Sequence, residues 1–189
     1  HAGLPKNVLL IIDAAYAEYV SRNDYDSGVE LVDQAENVVM TRTFSKIYGL
    51  GGLRLGWMYG PAGIVDVMSR LRQPFNVNSA AQIAGIAALD DIAHTDASRT
   101  NNDIWLAWLS AELTKLGLEP VPSVGNFLLV GFGSKERAAA ANDWLMNDGL
   151  IPRLVAGYGL PEHLRITVGT EPEVKAVQAS LARFVAAGK

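Results

Sequence analysis

Apolar residues run unbroken from Val8 to Ile12 and stop at Asp13. A continuous run of this length predicts a strand covered on both faces, as in a parallel α/β sheet. Residues 27–35 read as a short helix, and the β-branched stretch Asn37–Thr43 as a second strand. The segment 41–57, TRTFSKIYGLGGLRLGW, passes through a glycine-rich loop into a third strand over Leu53–Tyr59. Pro61 suits the first position of a helix running to Leu71, and Pro74 breaks it. An alanine-rich helix follows over Asn78–Leu89. Between Asp96 and Leu116, Ile104, Trp105, Trp108, Leu109, Leu113 and Leu116 recur at helical spacing, and Gly117 supplies the stop. The pattern then changes. Asn126–Phe132 reads as a strand, Ser134 caps a helix to Asn147, Ile151–Val155 and Leu164–Val168 read as strands, and Glu171–Ala187 as a final helix. This order predicts an α/β region over 1–90 followed by a small α+β domain over 91–189.

Composition narrows the class. Of 189 residues, 49% are hydrophobic and 19% charged, which excludes a disordered or collagen-like chain because a packed core is readily supplied. The net charge of −4 argues against a nucleic-acid coat or a polybasic membrane surface. The chain has no cysteine, so disulfides, thiol chemistry and a Cys/His zinc site are excluded, and a reducing cytoplasm fits. No apolar run approaches the roughly 18 residues that span a bilayer, and no secretory pattern opens the chain. The first residue is His1, only a few positions before a core strand. The expectation is a fragment of a longer protein.

Lys46 lies between Ser45 and a glycine-rich stretch, flanked by Phe44, Ile47, Tyr48 and Leu50. An ordinary lysine is solvated, but these apolar neighbours predict a loop buried against something. An amine drawn out of water near another cation becomes a usable nucleophile, and Arg54 is the candidate cation. Arg54 itself starts an apolar strand, LRLGWMY, and a buried arginine needs an anion. That anion is either a structural carboxylate or a phosphate, which suits the planar guanidinium fork. Thr43 and Ser45 add hydroxyls. The glycines form neither a Walker loop nor a dinucleotide fingerprint. Asp13 ends the first strand, where open α/β sheets bind ligands; taken alone it reads as a helix N-cap. Tyr16 lies about one helical turn on. A lysine able to form a Schiff base, a carboxylate for a pyridinium nitrogen and a phosphate clamp are together what pyridoxal phosphate requires.

DAAY at 13–16, TRTFSKIYGLGGLRLGW at 41–57, PSVGNFLLV at 122–130 and GYGLPEHLRITVGT at 157–170 resemble the fold-type I pyridoxal-phosphate aminotransferases, and among them the histidinol-phosphate aminotransferase group. The resemblance spans essentially the whole chain. It implies that the first region is the C-terminal part of the large cofactor-binding domain, with a mainly parallel sheet, and the second the small C-terminal domain. Lys46 would be the Schiff-base lysine, Asp13 the partner of the pyridinium nitrogen, and Tyr16 the donor to the cofactor's phenolic oxygen. Thr43, Ser45 and Arg54 would hold the cofactor phosphate. Arg165 would bind the substrate carboxylate, and Arg153 matches an arginine that contacts the phosphate of histidinol phosphate. A small-molecule amino donor, a keto acid and a second copy of the chain would be the partners.

The resemblance also implies that about half of the family's chain, including the turn that binds the cofactor phosphate and the ring stacked on the pyridine, is missing. Residues 1–189 alone are then expected to bind the cofactor weakly and turn over little. Phe75 stands where the family often has a tyrosine reaching the neighbouring subunit's substrate phosphate, which leaves room for aromatic amino acids. Ala14 stands where many relatives have glutamate. Threonine-phosphate decarboxylation, aromatic transamination and a non-catalytic regulatory or dimerisation module are the competing functions. His94 and His163 lack metal-ligand spacing and are read as solvated, and Trp57, Trp105, Trp108 and Trp144 as core.

Overall fold

The computed structural model describes residues 1–188, which fold into two compact units divided between Ser98 and Arg99. In the first unit a three-stranded sheet has the order β1 (Leu10–Asp13), β2 (Val38–Thr43), β3 (Gly56–Tyr59). The central strand is the most buried, and its Val38, Val39 and Met40 are fully buried. β1 joins it in parallel, with Asp13 opposite Thr41, and β3 in antiparallel, with Gly56 opposite Thr43. The short helix α1 (Val29–Gln34) crosses between β1 and β2, as a parallel pair demands, and Val32 packs with Ala14, Val38 and Met40.

The sequence reading of β1 as buried on both faces is corrected. Ile11 is 59% exposed, and Val8 and Leu9 lie outside the strand and also face solvent. The third strand is shorter than expected, because Gly51–Leu53 forms a 3-10 turn and Arg54 takes a left-handed conformation. Pro61 is the N-cap of α2 (Ala62–Leu71), one position before the expected one. In α3 (Ser79–Asp90), Asn78 caps the helix by accepting from the Ala81 N–H at 2.8 Å, and its amide donates to the Leu53 carbonyl at 3.2 Å. Ala81 and Gly85 are the buried positions of α3. Gly85 lies so close to Leu55 that a Cβ there would stand 2.6 Å from the Leu55 Cδ2. Small residues thus let α3 buttress the segment following β2.

The division falls within α4 (Ile92–Lys115), which begins four residues earlier than its apolar stripe suggests. Ile104 is exposed, off that stripe, whereas Leu109 and Leu113 are fully buried. Gly117, at φ +75°, makes the expected stop. The second unit holds an antiparallel sheet ordered β4 (Glu119–Val121), β5 (Phe127–Gly131), β7 (His163–Thr167), β6 (Arg153–Leu154). β4 has no counterpart in the sequence reading, and β6 keeps only two of the five expected residues. Helices α5 (Lys135–Asn147) and α6 (Glu171–Ala186) bury Leu145, Leu181 and Phe184 on this sheet. Ser134 caps α5 through the Arg137 N–H, and Thr170 with Glu173 forms a capping box on α6.

Candidate active site

The loop after β2 is built by its apolar residues. Phe44 and Ile47 are buried, and the Phe44 ring lies 5.0 Å from that of Tyr48. Phe44 N–H donates to the Leu55 carbonyl at 3.0 Å and Leu50 N–H to the Phe44 carbonyl at 2.9 Å, closing the loop on itself. Gly49, at φ +69°, permits the turn back through its N–H to the Lys46 carbonyl. Lys46 rides between the two buried side chains, half-buried itself. Its Nζ stands 5.2 Å from the centre of the Tyr16 ring.

Tyr16 arrives from β1. Ala14 N–H donates to the Thr41 carbonyl at 3.0 Å, continuing the ladder, and Ala14 is buried. The exposed Asp13 accepts from the Ala15 N–H at 3.2 Å in an Asx turn. It caps no helix; Tyr16 is the N-cap of a 3-10 turn, Ala17–Tyr19. Asp13, Tyr16 and Lys46 therefore gather at the carboxyl ends of β1 and β2, and Asp13 and Thr41 share one register position.

Thr43 and Ser45 lie beside Lys46, but the Thr43 hydroxyl serves the loop itself. It accepts from the Ser45 N–H at 3.0 Å and donates to the Leu55 carbonyl at 3.5 Å. Arg54 is a correction. It is exposed rather than buried, at φ +58°, and its Nη1 donates to the Gly51 carbonyl at 2.7 Å. Three residues of turn bring guanidinium and carbonyl together, so no buried anion is required by the local structure. The charged pair that is shielded here went unnoticed in the sequence: Arg42 Nη1 donates to Glu18 Oε1 at 2.6 Å. An arginine inside VVMTRT and a glutamate inside AEYV each called for a partner, but 24 intervening residues hid which one.

In the second unit Arg165 on β7 stands directly opposite Arg153 on β6. Arg165 is half-buried, its guanidinium carbon 5.1 Å from the Phe127 ring centre, and its Nε is buried without a hydrogen-bond partner. Arg153 is exposed and donates to the Tyr158 hydroxyl at 3.0 Å. Among the described residues neither guanidinium meets a carboxylate. Two like charges on facing strand positions destabilise a sheet. An anion between or beside them reverses the sign of that interaction.

Phe75 is 97% exposed at φ +57°, a backbone region that costs an aromatic residue energy. His163 is not solvated: its side chain is 17% exposed and Nδ1 lies 3.3 Å from Glu162 Oε1. His94 lies on α4 near Ser98. Trp57 is exposed rather than core, with the Arg42 guanidinium 5.9 Å from its ring centre. Among the described residues no group of three His, Asp or Glu side chains is placed to hold a metal ion, and no helix is long and apolar enough to cross a membrane.

Residues 4–181 match the family model described as aminotransferase class I and II. The chain is 56% identical over 185 residues to the histidinol-phosphate aminotransferase of Granulibacter bethesdensis, covering 98% of this chain and 50% of that protein. It is 52% identical over 187 residues to the protein of the same name from Rhodopseudomonas palustris strain BisB18, covering 98% and 51%. The crystal structure of histidinol-phosphate aminotransferase from Sinorhizobium meliloti in complex with pyridoxal-5'-phosphate superposes with a TM-score of 0.89 at 30% identity, over 98% of this chain and 51% of that one. The chain thus spans about half the length of the curated relatives it matches. A match over nearly all of its residues, with the lysine loop and strand-end carboxylate already assembled, makes the chain a member of the class I and II aminotransferases.

Proposed function

We propose that this chain is the part of a pyridoxal-phosphate-dependent aminotransferase that carries the reactive lysine. Its reaction would convert histidinol phosphate and 2-oxoglutarate to imidazole acetol phosphate and glutamate. The observation that carries the reading is the half-buried Lys46 amine 5.2 Å from the Tyr16 ring centre, beside the strand end that bears Asp13. The donor set suits the cofactor: an amine, a carboxylate, a phenol, two hydroxyls and a guanidinium from β1, β2 and the loop between β2 and β3. The orphaned Arg165 Nε suits an anionic substrate group.

Bound pyridoxal phosphate would supply an electron sink for the bond broken at the substrate α-carbon. The roles of this chain's residues follow. Lys46 would hold the cofactor covalently and, once displaced by substrate, take a proton from the α-carbon and return it as general base and acid. Asp13 would keep the proton on the ring nitrogen, because a carboxylate beside a cation favours the charged form. Tyr16 would donate to the phenolic oxygen. Ser45, Thr43 and Arg54 would grip the cofactor phosphate. For Thr43 this requires its hydroxyl to leave Leu55, a contact already stretched to 3.5 Å. Arg165 and Arg153 would hold the substrate's carboxylate or phosphate, where bidentate guanidinium geometry adds orientation to charge.

A homodimeric, cytoplasmic enzyme is part of the same reading. Phe75, Leu71, Ile83 and Ile86 are each exposed, large apolar side chains of the kind an interface covers, and Phe75 would lend its ring to the partner's substrate site. The missing hydroxyl of Phe75 keeps aromatic amino acids in play. Steady-state rates of the full-length protein with histidinol phosphate, threonine phosphate and phenylalanine decide the substrate. Lys46→Ala is expected to abolish turnover and borohydride labelling by the cofactor at this position while leaving the circular dichroism unchanged. Retained turnover, or a label on another lysine, removes the assignment.

A further inference from the structure

We infer that Arg42 and Glu18 are positioning residues, an ion pair that ties the Tyr16 turn down so that the phenol stays at Lys46. The inference rests on the role proposed for Lys46 and Tyr16 and adds the device that maintains it.

The turn needs such a device. Between the end of β1 and Val20 the chain forms the Asx turn at Asp13, a turn bond from the Ala17 N–H to the Ala14 carbonyl and one 3-10 turn, Ala17–Tyr19. A single turn of this kind has poor hydrogen-bond geometry and little cooperative support. Two anchors hold its ends. At the start, buried Ala14 bonds to Thr41 on β2; at the end, Tyr19 is buried. Glu18 fastens the middle. Its carboxylate meets Arg42 at 2.6 Å, and the two side chains are only 14% and 19% exposed. Arg42 belongs to β2, the most buried strand of the sheet, and cannot move without disturbing its ladder to β3, where it faces Trp57. Strand alternation sends Arg42 to the face opposite Thr41 and Thr43. The pair therefore holds the turn through the face away from those two threonines. The guanidinium is itself steadied 5.9 Å from the Trp57 ring centre. An exposed pair would do little. This one is shielded, so each partner has a strong reason to remain with the other.

The pair touches neither cofactor nor substrate in the proposed scheme, so its effect should appear in order and affinity. Removing one partner alone strands a buried charge and risks the fold. The informative variant is the double Glu18→Ala/Arg42→Met, which removes the tether without leaving a charge behind. Glu18→Gln/Arg42→Gln, which keeps a neutral hydrogen-bonding pair and strands no charge, serves as the conservative control. Two quantities are read on the full-length protein. The first is hydrogen exchange in the cofactor-free form for the amides of Ala17, Tyr19 and Val20. The second is pyridoxal phosphate affinity by absorbance titration. The double variant Glu18→Ala/Arg42→Met is expected to exchange about tenfold faster at these amides and to bind the cofactor about tenfold more weakly, with Glu18→Gln/Arg42→Gln restoring most of both. Wild-type exchange in the double variant overturns the tether. Faster exchange with wild-type affinity overturns the positioning role and leaves a structural one. Borohydride labelling of the wild type reports separately on the parent reading: a label absent from Lys46 sinks that reading whatever the exchange data show.

Discussion

With the anion-binding role proposed for Arg165, Arg165→Met should make the fold more stable and remove protection by an anion. Arg165 bears two costs in this structure. Its Nε is buried with no acceptor, a defect worth about 1–3 kcal/mol. Its charge also stands on the strand position facing Arg153, worth about 0.2–1 kcal/mol. Methionine removes both while keeping an unbranched stem against Phe127. What it forfeits is the guanidinium over that ring, about 0.5–2 kcal/mol. The balance favours the variant by about 1 kcal/mol, which raises the unfolding midpoint of a chain of more than 150 residues by about 2–4 °C at most. The assay is thermal unfolding of the full-length protein followed by circular dichroism, with and without inorganic phosphate. Wild type should gain stability with phosphate by ordinary linkage, and the variant should not. A variant less stable than wild type in phosphate-free buffer, or equal protection of both by phosphate, would show that Arg165 is a structural residue and not an anion ligand.

Two further outcomes follow from the same geometry. Gly56→Ala places a Cβ 2.9 Å from the Arg42 carbonyl oxygen, a backbone atom that can yield only by opening the β2–β3 ladder. We expect a loss of about 1–3 kcal/mol in denaturant unfolding, and an unchanged midpoint would contradict the close approach. Glu173 accepts from the Thr170 N–H at 2.7 Å and from its hydroxyl, and these bonds hold its carboxyl below the usual range. A carboxyl lowered in the folded state contributes stability above its unfolded value and loses it as pH falls through the folded one. Wild type should therefore lose more stability than Glu173→Gln between neutral pH and the acid side of the ordinary glutamate range. Parallel pH profiles of the unfolding midpoint would rule out the capping box as the source.

Much of the site was legible because it is local. Phe44 and Ile47 flank Lys46 within four residues, and apolar neighbours this close bury a loop whatever else surrounds it. Asp13 was placed at a strand end by the run that precedes it, and the parallel pairing with β2 gives that end its meaning. Caps were equally readable: Ser134 and Gly117 act within one turn of themselves. Arg54 misled because its apolar neighbours suggested burial, while a left-handed turn three residues after Gly51 aims its guanidinium at a carbonyl in the open. β4 escaped because a three-residue strand is defined by its partner β5 and hardly by its own pattern.

Sequence alone indicated most of the elements, the apolar surroundings of the lysine loop and the acidic strand end, since all three depend on neighbours within a few positions and on periodicity. Tertiary structure alone decided the pairings across distance: Arg42 with Glu18, Arg165 against Arg153, and Tyr16 beside Lys46. The reason is physical. A hydrophobic pattern says which side of an element leaves water, but a charge or a ring finds its partner only after sheet register has fixed which residues stand side by side.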